Sequence, residues 1–284
     1  MSDQEPRLRH EFVGMMFAVA IGEVGLQAAA LVQARHFVHF LPAYSHLFLA
    51  TVVIATSWVG WSLSVAPGAR QDVRGVFRWE FVVLLLDVSL VILYFILVRT
   101  IDFEKEQPRI DPASTVASWV IWILVLYLVW DCVTKIVMYR PKPGDHWWRD
   151  NGSRMAPTVF CLIIGGVIWR EVGGSDLPHQ LSADFALLCL VLLFRTLKEL
   201  VSACRRSQGA TVPLVATLIC ACGITLGALA TKYSWPLPLP QHVIDEITTP
   251  LPGEKPVLET PAGAPSSESP FPNRRESTEA ALTA

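Results

Sequence analysis

Runs of about twenty apolar residues recur along this chain, and a sequence that repeats them is built to lie in lipid. Seven such segments stand out, at roughly 12–33, 47–66, 79–101, 117–139, 157–172, 183–204 and 211–231. Hydrophobic residues make up 52% of the 284 residues and charged residues only 17%, too little polar surface for a soluble domain. A backbone in hydrocarbon finds no water to bond, so each segment reads as a helix. The expected fold is all-α, a polytopic integral membrane protein with a seven-transmembrane-helix bundle over 12–232. A short segment, 1–11, precedes the bundle and a tail, 233–284, follows it.

The fifth segment is short and carries Gly165-Gly166, features that also suit a re-entrant loop. Charge asymmetry decides for a span. With seven crossings, fourteen Lys and Arg of 1–232 fall on the side of the N-terminus and six on the other. The positive-inside rule then puts the N-terminus in the cytoplasm and the C-terminus outside. Dropping the fifth span moves Arg205 and Arg206 outward and weakens that bias. The first run holds Glu23 and is too long and too polar for a signal-peptide core, so it reads as a retained helix. The expected location is a bacterial cytoplasmic (inner) membrane.

Between segments four and five, 140–154 (RPKPGDHWWRDNGSR) reads as a cytoplasmic interfacial connector rich in aromatic and basic residues. Beyond Trp235 the composition changes. Ten of the twenty prolines lie between 236 and 272, among Ser, Glu, Thr and Ala, a mixture that cannot bury a core. The tail reads as disordered with a polyproline-II start.

The net charge of −2 and the lack of a concentrated basic face exclude a nucleic-acid partner. The six cysteines lie in or at the ends of apolar runs, where they pack as small hydrophobic groups. The lipid bilayer is the expected partner, with a second copy or another membrane subunit as further partners.

The informative residues are the ionisable ones inside the apolar runs: Glu23, Asp87, Asp131, Lys135, Arg195, Lys198 and Glu199. A charge in hydrocarbon costs at least about 2.5–3.5 kcal/mol, so these groups are expected to face one another or water. Counted inward from the cytoplasmic helix ends, Asp87, Asp131, Arg195 and Glu23 fall in one slab about 12–17 Å deep. Tyr127, Asp131 and Lys135 recur every four residues and share a face; Arg195, Lys198, Glu199 and Ser202 form a second stripe. Glu23 and Gln27 share a third, while Glu80, Asp87 and Tyr94 recur at sevens. Ser57, Trp58, Trp61 and Ser62 reach similar depths on the second helix.

This pattern carries two readings. In the first, an inner polar chamber open to the cytoplasm moves an ion, a proton or a small polar solute, and the chain is a small channel or transporter. In the second, the same groups are interhelical ion pairs that hold together a non-transporting subunit or scaffold, which binds partners through its cytoplasmic loops and tail.

Other chemistries find no support in the residues. A retinal protein needs a lysine midway along helix seven, which has none, and no histidine lies within a span to hold haem. No G-x-S-x-G elbow is present, so no enzyme and no cofactor are expected. His36, His39 and His46 cluster after the first run; without an acidic or thiolate neighbour in sequence they read as an interfacial patch and not as a metal site. Phe12-Val-Gly-Met-Met-Phe17-Ala-Val-Ala-Ile21 resembles the opening helix of the prokaryotic and lysosomal potassium channels, F-S-D-G-x-F-A-I-A-I. Val13 and Gly14 replace the Ser-Asp pair of that motif, so the resemblance points to a channel-like fold without implying membership.

Overall fold

The computed structural model describes residues 8–33, 41–64, 79–102, 109–138, 147–172, 177–205 and 211–232. These form seven helices: α1 (Leu8–Gln33), α2 (Leu41–Ser64), α3 (Trp79–Val98), α4 (Ala113–Met138), α5 (Trp147–Glu171), α6 (Leu177–Arg205) and α7 (Thr211–Lys232). Between α3 and α4 a short antiparallel ladder, β1 (Ile101–Asp102) with β2 (Arg109–Ile110), pairs Ile101 with Ile110 and Asp102 with Arg109. The helices belong to one compact unit, 1–247. The tail 233–284, with its expected disorder, lies outside the described residues, as do His36 and His39.

Five of these helices, α1 to α4 and α7, are long and apolar enough to cross a membrane, which makes the chain a multi-pass membrane protein in contact with lipid. Polar residues at the start of α5 and the charged stretch near the end of α6 dilute those two, although both are as long as the rest. Most helices begin before their apolar runs. A helix needs only its backbone bonds to continue through a polar turn, and the headgroup layer and water tolerate that turn. The largest difference falls on the 140–154 connector: Trp147 to Arg154 are the opening turns of α5, and 139–146 lie outside the described residues. Gly165-Gly166 sit inside this continuous helix, not in a re-entrant loop.

Neighbouring helices alternate in direction, as side-chain contacts show level by level. Tyr44 at the start of α2 reaches the Leu31 carbonyl near the end of α1. On α3 and α4, Tyr94 meets Tyr127 and Asp87 meets Trp130, an antiparallel register. Thr158 of α5 meets Asp131, while Gly165 lies against Ile121 and Leu124, antiparallel again. On α7, Gly223 faces Cys189 and Gly227 faces Ala186, so α6 and α7 also run opposite ways. Helices α2, α4 and α6 therefore share one direction and α1, α3, α5 and α7 the other.

Small residues allow the closest approaches. A β-carbon built on Gly227 would stand 2.9 Å from Ala186 Cβ and 3.2 Å from the Ala186 backbone. One on Gly223 would stand 2.5 Å from Cys189 Sγ. This is a G-x-x-x-G seam, which lets dispersion act over a long contact where lipid offers no hydrophobic drive. Facing outward are Phe12, Val19 and Leu26 on α1 and Val212, Ile219 and Leu226 on α7, the surface that meets acyl chains. All six cysteines are free thiols; Cys220 is buried in the α6–α7 seam and Cys222 points away.

Candidate functional site

At the half of the bundle where α4 and α6 end, three helices converge on one carboxylate. Asp131 of α4 is buried, and its Oδ1 accepts from Lys135 Nζ one turn along at 3.1 Å. Its Oδ2 accepts from Lys198 Nζ of α6 at 2.6 Å and from Thr158 Oγ1 of α5 at 3.1 Å. The four-residue spacing aligns Lys135 with Asp131 on one face, while tertiary packing brings Lys198 and Thr158. Lys198 also lies over the Phe194 ring, its nitrogen 4.9 Å from the centroid.

One turn of α4 away, Tyr127 packs on Phe194 with ring centroids 5.3 Å apart. Its hydroxyl is 3.0 Å from that of Tyr94 on α3, and Ser57 of α2 stands beside both phenols. Arg195 of α6 and Asp131 are within electrostatic reach of Tyr127. The Arg195 guanidinium bonds Glu199 through Nε at 3.1 Å and covers Gly60 of α2, where an added β-carbon would stand 2.5 Å from Nη1. Asp87 of α3 is buried and accepts a 2.8 Å bond from Trp130 Nε1. Side chains from α2, α3, α4, α5 and α6 thus form one polar run from Ser57 and the tyrosines to the Asp131 triad.

Asp87, Tyr127, Asp131, Lys135, Arg195, Lys198 and Glu199 lie along this run. Glu23 and Gln27 are placed elsewhere. Glu23 Oε1 pairs with Arg99 Nε at 2.9 Å, at the far end of α3, and accepts from Gln27 Nε2 at 3.2 Å. Phe17 packs on Tyr94, so Glu23 lies six residues beyond the tyrosine level and Asp87 seven residues short of it. The two acids are about 20 Å apart along the axis, not in one slab. Part of the cause is local: α1 begins at Leu8, before its apolar run, so Glu23 sits a turn deeper than counting from Phe12 implies, and the register of α1 against α3 supplies the rest.

A second polar cluster was not legible in the sequence. His46 is not in a connecting loop; it lies on the second turn of α2, fully buried. Its Nε2 is 3.1 Å from Asp184 Oδ2 of α6, and Ser45 Oγ bonds the same oxygen. The acidic neighbour that the sequence lacked nearby comes from another helix. Among the described residues, no three His, Cys, Asp or Glu side chains converge in the manner of a metal site.

No family model, curated protein or solved structure matches the chain. What the residues themselves define is a multi-pass membrane protein with buried charge.

The Trp130–Asp87 bond carries a direct prediction. Trp130→Phe removes a donor from a buried carboxylate and is expected to cost about 1–2 kcal/mol of stability. Trp122→Phe, on the exposed side of the same helix, is expected to cost nothing measurable. Denaturant unfolding of the two variants in detergent checks the difference.

Proposed function

We propose that this chain is a small membrane channel or transporter that moves an ion, a proton or a small polar solute along the run formed by Asp87, Tyr94, Tyr127, Asp131, Lys135, Arg195 and Lys198. In this reading all seven helices span a bacterial cytoplasmic membrane, with the N-terminus inside and the C-terminus outside. The carrying observation is the convergence of α4, α5 and α6 on Asp131 at membrane depth, continued by hydroxyl groups on α2, α3 and α4. Ion pairs exchange partners readily where three charges share two bonds, and hydroxyls can replace part of a solute's hydration shell. The Glu23–Arg99 pair lies farther along, toward the opposite end, and would select or gate there.

One observation favours the scaffold reading. Asp131 already has two lysines and Arg195 already has Glu199, so the charges can serve as interhelical ties alone.

Flux through purified protein in liposomes separates the two. Wild type is expected to carry an ion or proton current that Asp87→Asn and Glu23→Gln abolish while both variants remain folded. No flux from wild type under any gradient or voltage would sink the transport reading and favour the scaffold.

A further inference from the structure

The chamber does not use the buried cluster where α2 and α6 begin. His46 and Asp184 expose 0% and 3% of their side chains. Their closest approach is 3.1 Å, yet neither ring nitrogen of His46 has a hydrogen-bond partner, and neither does Asp184 Oδ1. The pair's other bond is from Ser45 Oγ to Asp184 Oδ2; the same hydroxyl is 2.8 Å from the Pro42 carbonyl.

We propose that His46 and Asp184 form a proton-binding site that takes up one proton per chain. A neutral imidazole beside an ionised carboxylate leaves one uncompensated negative charge in a buried, membrane-depth site, which low dielectric opposes. One added proton removes that charge, either as an imidazolium facing the carboxylate or as a neutral carboxyl beside the imidazole. Ser45 suits both forms. It donates to Asp184 when the carboxyl is ionised; when the carboxyl holds the proton, Ser45 accepts from it and donates to the Pro42 carbonyl. The site thus keeps its bonds through a change of protonation, unlike the Asp131 triad, whose carboxylate two ammonium groups already compensate.

The surrounding elements bring no competing partner. Tyr44 on α2 bonds the Leu31 carbonyl of α1, and Glu23 of α1 is held by Arg99. Around the α3–α4 ladder stand Arg99, Asp102 and Asp111; on α6 His179 precedes Asp184; at the end of α5 are Arg170 and Glu171. Among the described residues, none of these bonds or pairs with His46 or Asp184, whose partners are Ser45 and each other. This site goes beyond the chamber and does not rest on the transport reading.

Two measurements on the full chain in nanodiscs test it, independently of flux. In the first, an indicator dye counts protons taken up between about pH 8 and about pH 5, a window that spans ordinary histidine titration. Asp184→Asn is expected to take up one proton fewer than wild type, because the imidazole loses the countercharge that lets it charge in a buried site. Equal uptake by wild type and a folded Asp184→Asn overturns the proposal. The second needs no variant. Ser45-His46 is the only Ser-His step in the sequence, so carbonyl-13C serine with 13C,15N histidine singles out the His46 amide, from which correlation through the side-chain carbons reaches this ring. The pair is expected to hold the added proton at about pH 5 with the protein folded, seen as a doubly protonated ring or as a protonated Asp184 carboxyl band in the infrared. A neutral ring with an ionised Asp184 at about pH 5 overturns the proposal.

Discussion

Asp131→Leu is expected to lower the stability of the purified protein by about 3 kcal/mol. The substitution leaves two ammonium groups, Lys135 and Lys198, facing a side chain that can accept nothing, and Thr158 loses its acceptor as well. Breaking a buried ion pair from one side typically costs about 3–5 kcal/mol, since the remaining charge keeps its desolvation penalty and loses its attraction. The low end applies because Lys198 is about a quarter exposed and its long stem can turn the ammonium toward the helix ends. Removing all three charges gives the opposite outcome. Asp131→Leu with Lys135→Met and Lys198→Met is expected to melt within about 1 kcal/mol of wild type, because apolar groups of similar volume replace the triad without orphaning a charge. Thermal unfolding of the single and triple variants measures the contrast. Liposome flux from the stable triple variant then bears on function: the channel reading expects none, whereas a triad that only ties helices together leaves any flux in place.

Gly227→Leu is expected to cost a further figure of about 3 kcal/mol, at the top of the overpacking range. At this position the obstacle is Ala186, whose Cα and N lie 3.2 Å from the site of the new β-carbon. Backbone cannot rotate out of the way as a side chain can, so α7 has to lift from α6. Most of what holds α7 lies along that seam, and lipid offers no compensating drive to press the helices together. The same change at Gly14, which has open space around its β-position on α1, is expected to be silent. Gly223→Ala falls between them, because the Cys189 thiol it meets can change rotamer. Melting temperatures of the three variants in one detergent order these effects.

The seven helices, and the five among them apolar enough to cross a membrane, were legible because hydropathy is a local property that twenty consecutive residues carry without help from the rest of the chain. The Tyr127–Asp131–Lys135 stripe was legible for a related reason: a four-residue spacing on one helix survives any arrangement of its neighbours. Registers between helices were not. The depth of Glu23 depends on where α1 begins, which Leu8 to Glu11 shift by a turn, and on its register against α3, which no local pattern carries. His46 looked partnerless because Asp184 belongs to another helix, and no local pattern joins α2 to α6. Gly223 and Gly227, spaced four apart on an apolar helix, did hold a readable packing signal. The two-residue ladder after α3 held none, since Ile-Asp and Arg-Ile are too short to show alternation.

The dilution of α5 and α6 by polar residues bears on how such a chain reaches its membrane. Helices α1 to α3 have the hydropathy to leave the insertion machinery for lipid one by one, but α6 carries Arg195, Lys198 and Glu199, and α4 carries the carboxylate that Lys198 meets. Partitioning one segment at a time would leave the Asp131–Lys135 pair in lipid without Thr158 and Lys198 until α5 and α6 are synthesised. Retention of α4 beside the translocation pore, and joint release with α5 and α6, avoids that penalty. In the proposed seven-span arrangement, the unit of insertion for this half of the molecule is then a three-helix bundle whose buried carboxylate is already paired by its own contacts.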